Sequence, residues 1–187
     1  MRVVVVSGYS GSGKTTALNI LEDVGFLCID NLPAILLPTL IREMRENGLP
    51  FLDKLAIGID ARNPVIDLTS IPRILQEIKA LGIDIKVIFL TARLGDLVRR
   101  FSETRRKHPL TTNSLSLIEA INKEEVLLAP IETITDYKVD TTGLALHQLR
   151  KLIKNFILPK HENNITILFE SFGHKRGLPI NADFVFD

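Results

Sequence analysis

The chain has 187 residues, enough for one ordinary domain, and its Lys+Arg 23 against Asp+Glu 22 exclude a whole-chain electrostatic attraction to nucleic acid. Hydrophobic residues at 45% and charged residues at 24% exclude intrinsic disorder. A single cysteine, Cys28, excludes an internal disulfide, and no apolar run approaches the roughly 18 residues of a membrane helix, so the expectation is a cytoplasmic protein without a membrane partner.

The first strand is predicted over Arg2–Ser7, around Val3, Val4, Val5 and Val6, and a helix over Thr15–Val24 with Ala17, Leu18, Leu21 and Val24 on one face. A strand over Phe26–Asp30 leads to a helix over Leu32–Asn47, with Asp30-Asn31 as caps, Pro33 near its first turn and Gly48 at its end. Lys54–Asp60 reads as a strand in which Gly58 permits a close backbone approach. Next comes a helix over Thr69–Leu81, with Pro72 in its first turn and Gly82 just past its end. Ile85–Thr91 is a strand, Leu94–Lys107 a helix stopping before Pro109, and Ser114–Leu128 another helix. Tyr137–Asp140 and Leu144–Leu158 complete the strand and helix alternation. Ile165–Glu170 and Phe184–Phe186 look like the strands of a hairpin that the chain end interrupts. Nearly continuous Val, Ile, Leu and Phe in the strands implies burial on both faces. The fold class is therefore α/β, a three-layer parallel sheet of P-loop NTPase or kinase-like type with right-handed crossovers.

Gly8-Tyr9-Ser10-Gly11-Ser12-Gly13-Lys14-Thr15 matches G-x-x-x-x-G-K-[ST] between the first strand and the first helix. A chance match in a chain this long arises about once in a hundred or fewer. Glycines let backbone N–H groups turn inward on a phosphate, and the helix N-terminus adds partial positive charge. Lys14 can reach β- and γ-phosphate oxygens, the Thr15 hydroxyl can ligate Mg²⁺, and Thr16 is a cap or phosphate contact. A second Mg²⁺ group is expected on a strand end. Asp60 is the candidate, and Asp30 reads equally as a helix cap. Asp140 is a weaker candidate that would line a base pocket.

Arg93–Lys107 carries Arg93, Arg99, Arg100, Arg105, Arg106 and Lys107 against Asp96 and Glu103, with His108 following. Its plain reading is a solvated helix face. Beside a P-loop, Arg93, Arg100, Arg105 and Arg106 become candidates for a phosphate-covering lid, and the same face could meet RNA phosphates.

Five strings together carry a family resemblance: the P-loop, Cys28–Pro33, Asp60-Ala61-Arg62-Asn63, Arg99–Leu110 and Ser171-Phe172-Gly173. On these the chain resembles the RapZ/YvcJ family of bacterial nucleotide-binding proteins from Met1 to Asp187. The resemblance implies ATP and GTP binding with slow hydrolysis, and for some members an adaptor role presenting a small RNA to a ribonuclease. It places an ATP site at Gly8–Thr15 and a GTP-associated motif at Asp60–Asn63. It also implies a P-loop domain over residues 1–160, with 161–187 beginning a C-terminal region that is cut short. The family commonly reads Phe-Leu-Asp-Ala where this chain has Phe89-Leu90-Thr91-Ala92, so a carboxylate is missing there. Phe172–Gly177 also departs from the family pattern.

Three functions follow as expectations. The first is a regulatory ATP/GTP-binding module with weak Mg²⁺-dependent hydrolysis, resting on Lys14 and Asp60. The second is a small-molecule or nucleotide kinase with an Arg-rich lid. The third is an RNA-binding adaptor with nucleotide as effector. A homo-oligomer is compatible with all three.

Overall fold

Val3, Val4, Val5 and Val6 have no exposed surface. Successive strand side chains point to opposite faces, so Val3 and Val5 enter one core and Val4 and Val6 another. Burying each valine contributes about 1.5–3 kcal/mol. These residues lie in β1 (Arg2–Gly8), the central strand of the computed structural model, which describes residues 1–46, 53–63, 65–112 and 114–158.

The other strands are β2 (Leu27–Ile29), β3 (Lys54–Gly58), β4 (Asp84–Thr91) and β5 (Tyr137–Asp140). They form one parallel sheet in the order β2-β3-β1-β4-β5. β1 is paired on both sides, with Val5 opposite Ile57 and Val87. Helices α1 (Lys14–Glu22), α2 (Leu37–Glu46), α3 (Val65–Ala80), α4 (Leu94–Thr104), α5 (Leu117–Glu132) and α6 (Leu146–Ile157) supply the outer layers. Leu37 and Ile41 of α2, Leu68 and Ile71 of α3 and Leu128 of α5 join the Val3/Val5 core. Leu18 and Leu21 of α1 and Leu149 and Ile153 of α6 join the Val4/Val6 core. The three-layer parallel architecture expected from the sequence is what the chain adopts.

Several boundaries differ from the sequence reading, with local causes. The helix expected over Leu32–Asn47 splits into a 3-10 turn, Ala34–Leu36, followed by α2. Pro38 has no N–H for Ala34, and the turn instead closes through Leu36 N–H on Pro33 O at 2.9 Å. α3 starts at Val65 rather than Thr69, so Pro72 lies inside it. α4 ends at Thr104, because Arg105 turns left-handed at φ 51°, and Arg105, Arg106 and Lys107 therefore leave the helix they were expected to share. α5 begins at a Ser116 cap, whose hydroxyl accepts from the Glu119 amide while Glu119 accepts from the Ser116 amide. It then continues through Pro130 to Glu132. Residues 1–157 form one compact unit. The strands expected at Ile165–Glu170 and Phe184–Phe186, and the Phe172–Gly177 departure, lie outside the described residues. Among the described residues, no helix is long and apolar enough to cross a membrane.

Cys28 is half-buried, and its Sγ lies 3.2 Å from Leu18 O. Burial, then the Glu22 charge, pushes the thiol up to about 11. At pH 8 about 0.1% is thiolate, so labelling by a disulfide reagent should run well below the rate of a free thiol. Labelling at the free-thiol rate would show that this half-burial is absent in solution.

Candidate functional site

The loop between β1 and α1 is shaped by three left-handed glycines: Gly8 at φ 137°, Gly11 at 84° and Gly13 at 104°. β1 and β4 converge at Gly8, where an added Cβ would lie 2.1 Å from Leu90 O. The Tyr9 amide donates to that same carbonyl at 3.1 Å. Gly13 then starts α1 without any side-chain cap, so the first amides of the helix remain available to an anion.

Lys14 folds back over the loop. Its Nζ donates to Gly8 O at 2.7 Å and Tyr9 O at 3.1 Å. Burial lowers its pKa from the ordinary lysine value, opposed by the charges of Glu124, Asp60 and Asp30. Asp60, two residues past β3, is 3% exposed. Its carboxylate is held by Arg62. Arg62 Nη2 donates to Oδ2 at 2.6 Å, Nε approaches Oδ2 at 2.9 Å and Oδ1 at 3.1 Å, and the Arg62 amide donates to Oδ1 at 2.9 Å. Burial pushes the Asp60 carboxyl up, but the Arg62 hydrogen bonds and the Lys14 and Arg62 charges outweigh it and hold the group below the usual carboxylate range.

A cleft of about 430 Å³ opens over this loop. Ser10, Gly11, Gly13, Lys14, Thr15, Thr16, Asp60 and Arg62 line it, as do Arg100 and Arg106. Among the described residues its wall holds five cations, Lys14, Arg62, Arg100, Arg106 and Lys107, against the single carboxylate of Asp60.

Other sequence candidates sit elsewhere. Gly8 and Ser12 form the loop from beneath, and Ser12 has no exposed surface. Tyr9 directs its ring edge-on against Phe89, with centroids 5.6 Å apart, and burial followed by the charges of Glu132, Glu125 and Glu124 pushes its hydroxyl up to about 12. Ala61 is buried in the Val3/Val5 core. Asn63 Oδ1 accepts the Ala34 amide at 3.0 Å, so Asn63 ties the segment after β3 to the segment after β2. Arg93 starts α4, and Arg105 ends it; both are exposed and outside the cleft wall. Asp30 is exposed, with Oδ1 2.5 Å from where a Gly58 Cβ would stand, so Gly58 clears a side chain as well as the Asn31 backbone. Asp140 is exposed and accepts the Thr142 amide at 2.9 Å. Thr91 aims its hydroxyl at Val139 O, 3.4 Å away, on the neighbouring strand, and it is not part of the cleft wall.

Two contributors escaped the sequence reading. Thr141, just past β5, receives Arg100 Nη1 on its Oγ1 at 3.0 Å and Nη2 on its carbonyl at 2.7 Å, while Arg100 Nη1 also donates to Gly11 O at 2.9 Å. Glu124 of α5 accepts both the Ser10 amide and the Ser10 hydroxyl. A charged residue at a core position of an amphipathic helix was the one available signal for Glu124. Thr141 offered none, since its role depends on β5 lying beside β4.

The RapZ-like N-terminal domain family model matches residues 1–161. A nucleotide-binding protein of Pseudomonas aeruginosa (strain LESB58) is 52% identical over all of this chain and 65% of its own length. A nucleotide-binding protein of Cellvibrio japonicus is 51% identical over all of this chain and 63% of its own. The chain thus spans about two thirds or slightly less of the relatives it matches. Among solved structures, the tunicamycin resistance protein of Deinococcus radiodurans superposes with a TM-score of 0.55 at 15% identity, covering 83% of this chain and 95% of that one. Shikimate kinase of Bacteroides thetaiotaomicron superposes with a TM-score of 0.52 at 15% identity, covering 83% and 97%. These two share the fold. The family match over residues 1–161 and the full-length sequence identity agree, and the chain belongs to the RapZ-like N-terminal domain family.

Proposed function

We propose that the chain is a nucleoside triphosphate-binding module that accepts ATP or GTP at the P-loop cleft, hydrolyses it slowly, and serves a regulatory role within a longer protein. The observation that carries this reading is the five-to-one excess of cations over carboxylates around an uncapped helix N-terminus. The loop amides and Lys14 take the β- and γ-phosphates, while Arg106 and Arg100, the latter held by Gly11 O and Thr141, add positive charge to the same cleft. Arg62 also lines the cleft but is engaged by Asp60.

The donor set fits Mg²⁺. This ion takes one or two protein oxygens and completes its shell with water and phosphate oxygens, so a hydroxyl and a carboxylate lining one cleft suffice. Thr15 and Asp60 would hold it, and bound there it would neutralise phosphate charge. Arg62 already makes four contacts to the Asp60 carboxylate, so Asp60 would hold the ion through a water that takes the place of one of them. Attack by water is then favoured mainly by position and electrostatics. The residues Asp60–Asn63 divide their work in this reading: Asp60 and Arg62 face the ligand, while Ala61 and Asn63 shape the wall behind them.

RNA and a ribonuclease are partners proposed for the longer protein on family grounds, and Arg93 and Arg105, exposed and not in the cleft wall, are suited to meet phosphates outside the cleft. The test is nucleotide turnover with and without a panel of hydroxyl acceptors. Slow acceptor-independent release of nucleoside diphosphate and inorganic phosphate supports the proposal. Acceptor-dependent release would replace it with a kinase. Asp60→Asn should weaken Mg²⁺-nucleotide binding by about tenfold and Mg²⁺-free binding much less. Equal losses in titrations with and without Mg²⁺ would remove Asp60 from the metal shell.

A further inference from the structure

Glu124 is a fully buried carboxylate outside the cleft wall. An apolar residue at this position of helix α5 would avoid the cost of burying a charge. Both Glu124 oxygens nevertheless have hydrogen-bond partners. Oε2 accepts the Ser10 amide at 2.8 Å, and Oε1 accepts the Ser10 hydroxyl at 2.6 Å. His108 Nε2, also buried, lies 3.0 Å from Oε2. His108 Nδ1 accepts the Leu110 amide at 3.2 Å, so Nδ1 carries no proton, and Nε2–H donates to Glu124.

This links two parts of the site. Ser10 belongs to the P-loop. His108 directly follows Arg106 and Lys107, which line the cleft with the P-loop. The His108 ring also rests against Phe101, with centroids 5.3 Å apart, and Phe101 stands 3.3 Å from the place a Gly11 Cβ would occupy. Ser10, Glu124, His108, Phe101 and Gly11 therefore close a ring of contacts that leaves the loop and returns to it. The Arg-rich segment is thus docked on the P-loop by the chain's own residues.

Resting on the nucleotide-binding reading, we propose that Glu124 is a positioning residue: through Ser10 on one side and His108 on the other, it sets the P-loop and the Arg106–Lys107 wall as one unit before nucleotide arrives. Its charge also offsets the desolvation of Lys14 from behind the loop. Preorganisation of this kind reduces the ordering that binding would otherwise require.

The test is a double-mutant cycle, reading the affinity of the full chain for mant-ATP with Mg²⁺ and the thermal midpoint together. Arg106→Ala should weaken binding about tenfold in the wild-type background. The same change should cost less than about threefold once Glu124→Ala has broken the link, because an unpositioned arginine contributes little. Glu124→Gln keeps the shape. Its carbonyl can accept from Ser10 and His108, and its amide can donate to the Ser10 hydroxyl. The Arg106→Ala penalty should therefore return to about tenfold in that background. If Glu124→Ala does not fold, His108→Asn, which shortens the link without adding bulk, decides the cycle in its place. An equal Arg106→Ala penalty in every background would overturn the positioning role and leave Glu124 a structural residue. Failure of the wild-type chain to bind mant-ATP would instead overturn the nucleotide reading itself.

Discussion

Replacing Lys14 by alanine is expected to weaken triphosphate binding by more than about 100-fold and to abolish hydrolysis. The Nζ now bonded to Gly8 O and Tyr9 O is poised to exchange those carbonyls for β- and γ-phosphate oxygens. The fold should persist. Deleting Lys14 leaves two loop carbonyls short of a donor, but it also removes a charge that burial disfavours, as the lowered pKa shows. Calorimetric titration with a non-hydrolysable triphosphate, alongside a thermal melt, checks both halves. Wild-type affinity in the mutant would place Lys14 away from the phosphates. The sign of the pH dependence follows. Lys14 loses its proton below the ordinary lysine range, so wild-type affinity should begin to fall with rising pH earlier than a solvated lysine would allow.

Gly8→Ala should unfold or severely destabilise the chain, by about 3 kcal/mol or more, which corresponds to a fall of roughly 10 °C in thermal midpoint. Two independent costs act at this position. The backbone sits at φ 137°, and a Cβ would fall 2.1 Å from Leu90 O and 2.7 Å from Leu90 N. Both obstacles are backbone atoms of a central strand, so neither can yield without breaking the β1–β4 pairing. Gly13→Ala offers the contrast, because its nearest neighbour would be Leu149 Cδ2 at 3.8 Å and only the φ of 104° is costly. Melts of the two variants should separate widely, with Gly8→Ala the lower. A reversed order would mean that the strands do not converge at Gly8.

The arginines show how far a linear string carries and where it stops. Arg99, Arg100, Arg105 and Arg106 look alike along the chain. Arg100 reaches across 89 positions to Gly11 O, while Arg99 pairs locally with Asp96 at 2.7 Å. Arg105 spends its backbone on ending α4, which swings Arg106 to the cleft and leaves Arg105 in solvent. Helical periodicity continued through the string could not separate these fates, because the helix ends inside it.

The sequence by itself determined the parallel α/β architecture, the P-loop between β1 and α1, and the aspartate past β3. Each is encoded in neighbouring residues: apolar runs long enough to be buried on both faces, glycines where the backbone turns left-handed, and a helix start beside them. Only the tertiary structure decided that Glu124 holds Ser10 from 114 positions away, that Arg62 occupies the Asp60 carboxylate, and that Thr141 receives Arg100. It also decided that Tyr9 and Asn63 serve the scaffold around the cleft. Most of these contacts cross between elements that meet only when the strands assemble in the order β2-β3-β1-β4-β5. Asp60 and Arg62 are close in sequence, but their pairing depends on the turn that buries the carboxylate and leaves the guanidinium at the surface. Hydrogen-bond partners of this kind are set by three-dimensional proximity and desolvation, and a local residue pattern records neither.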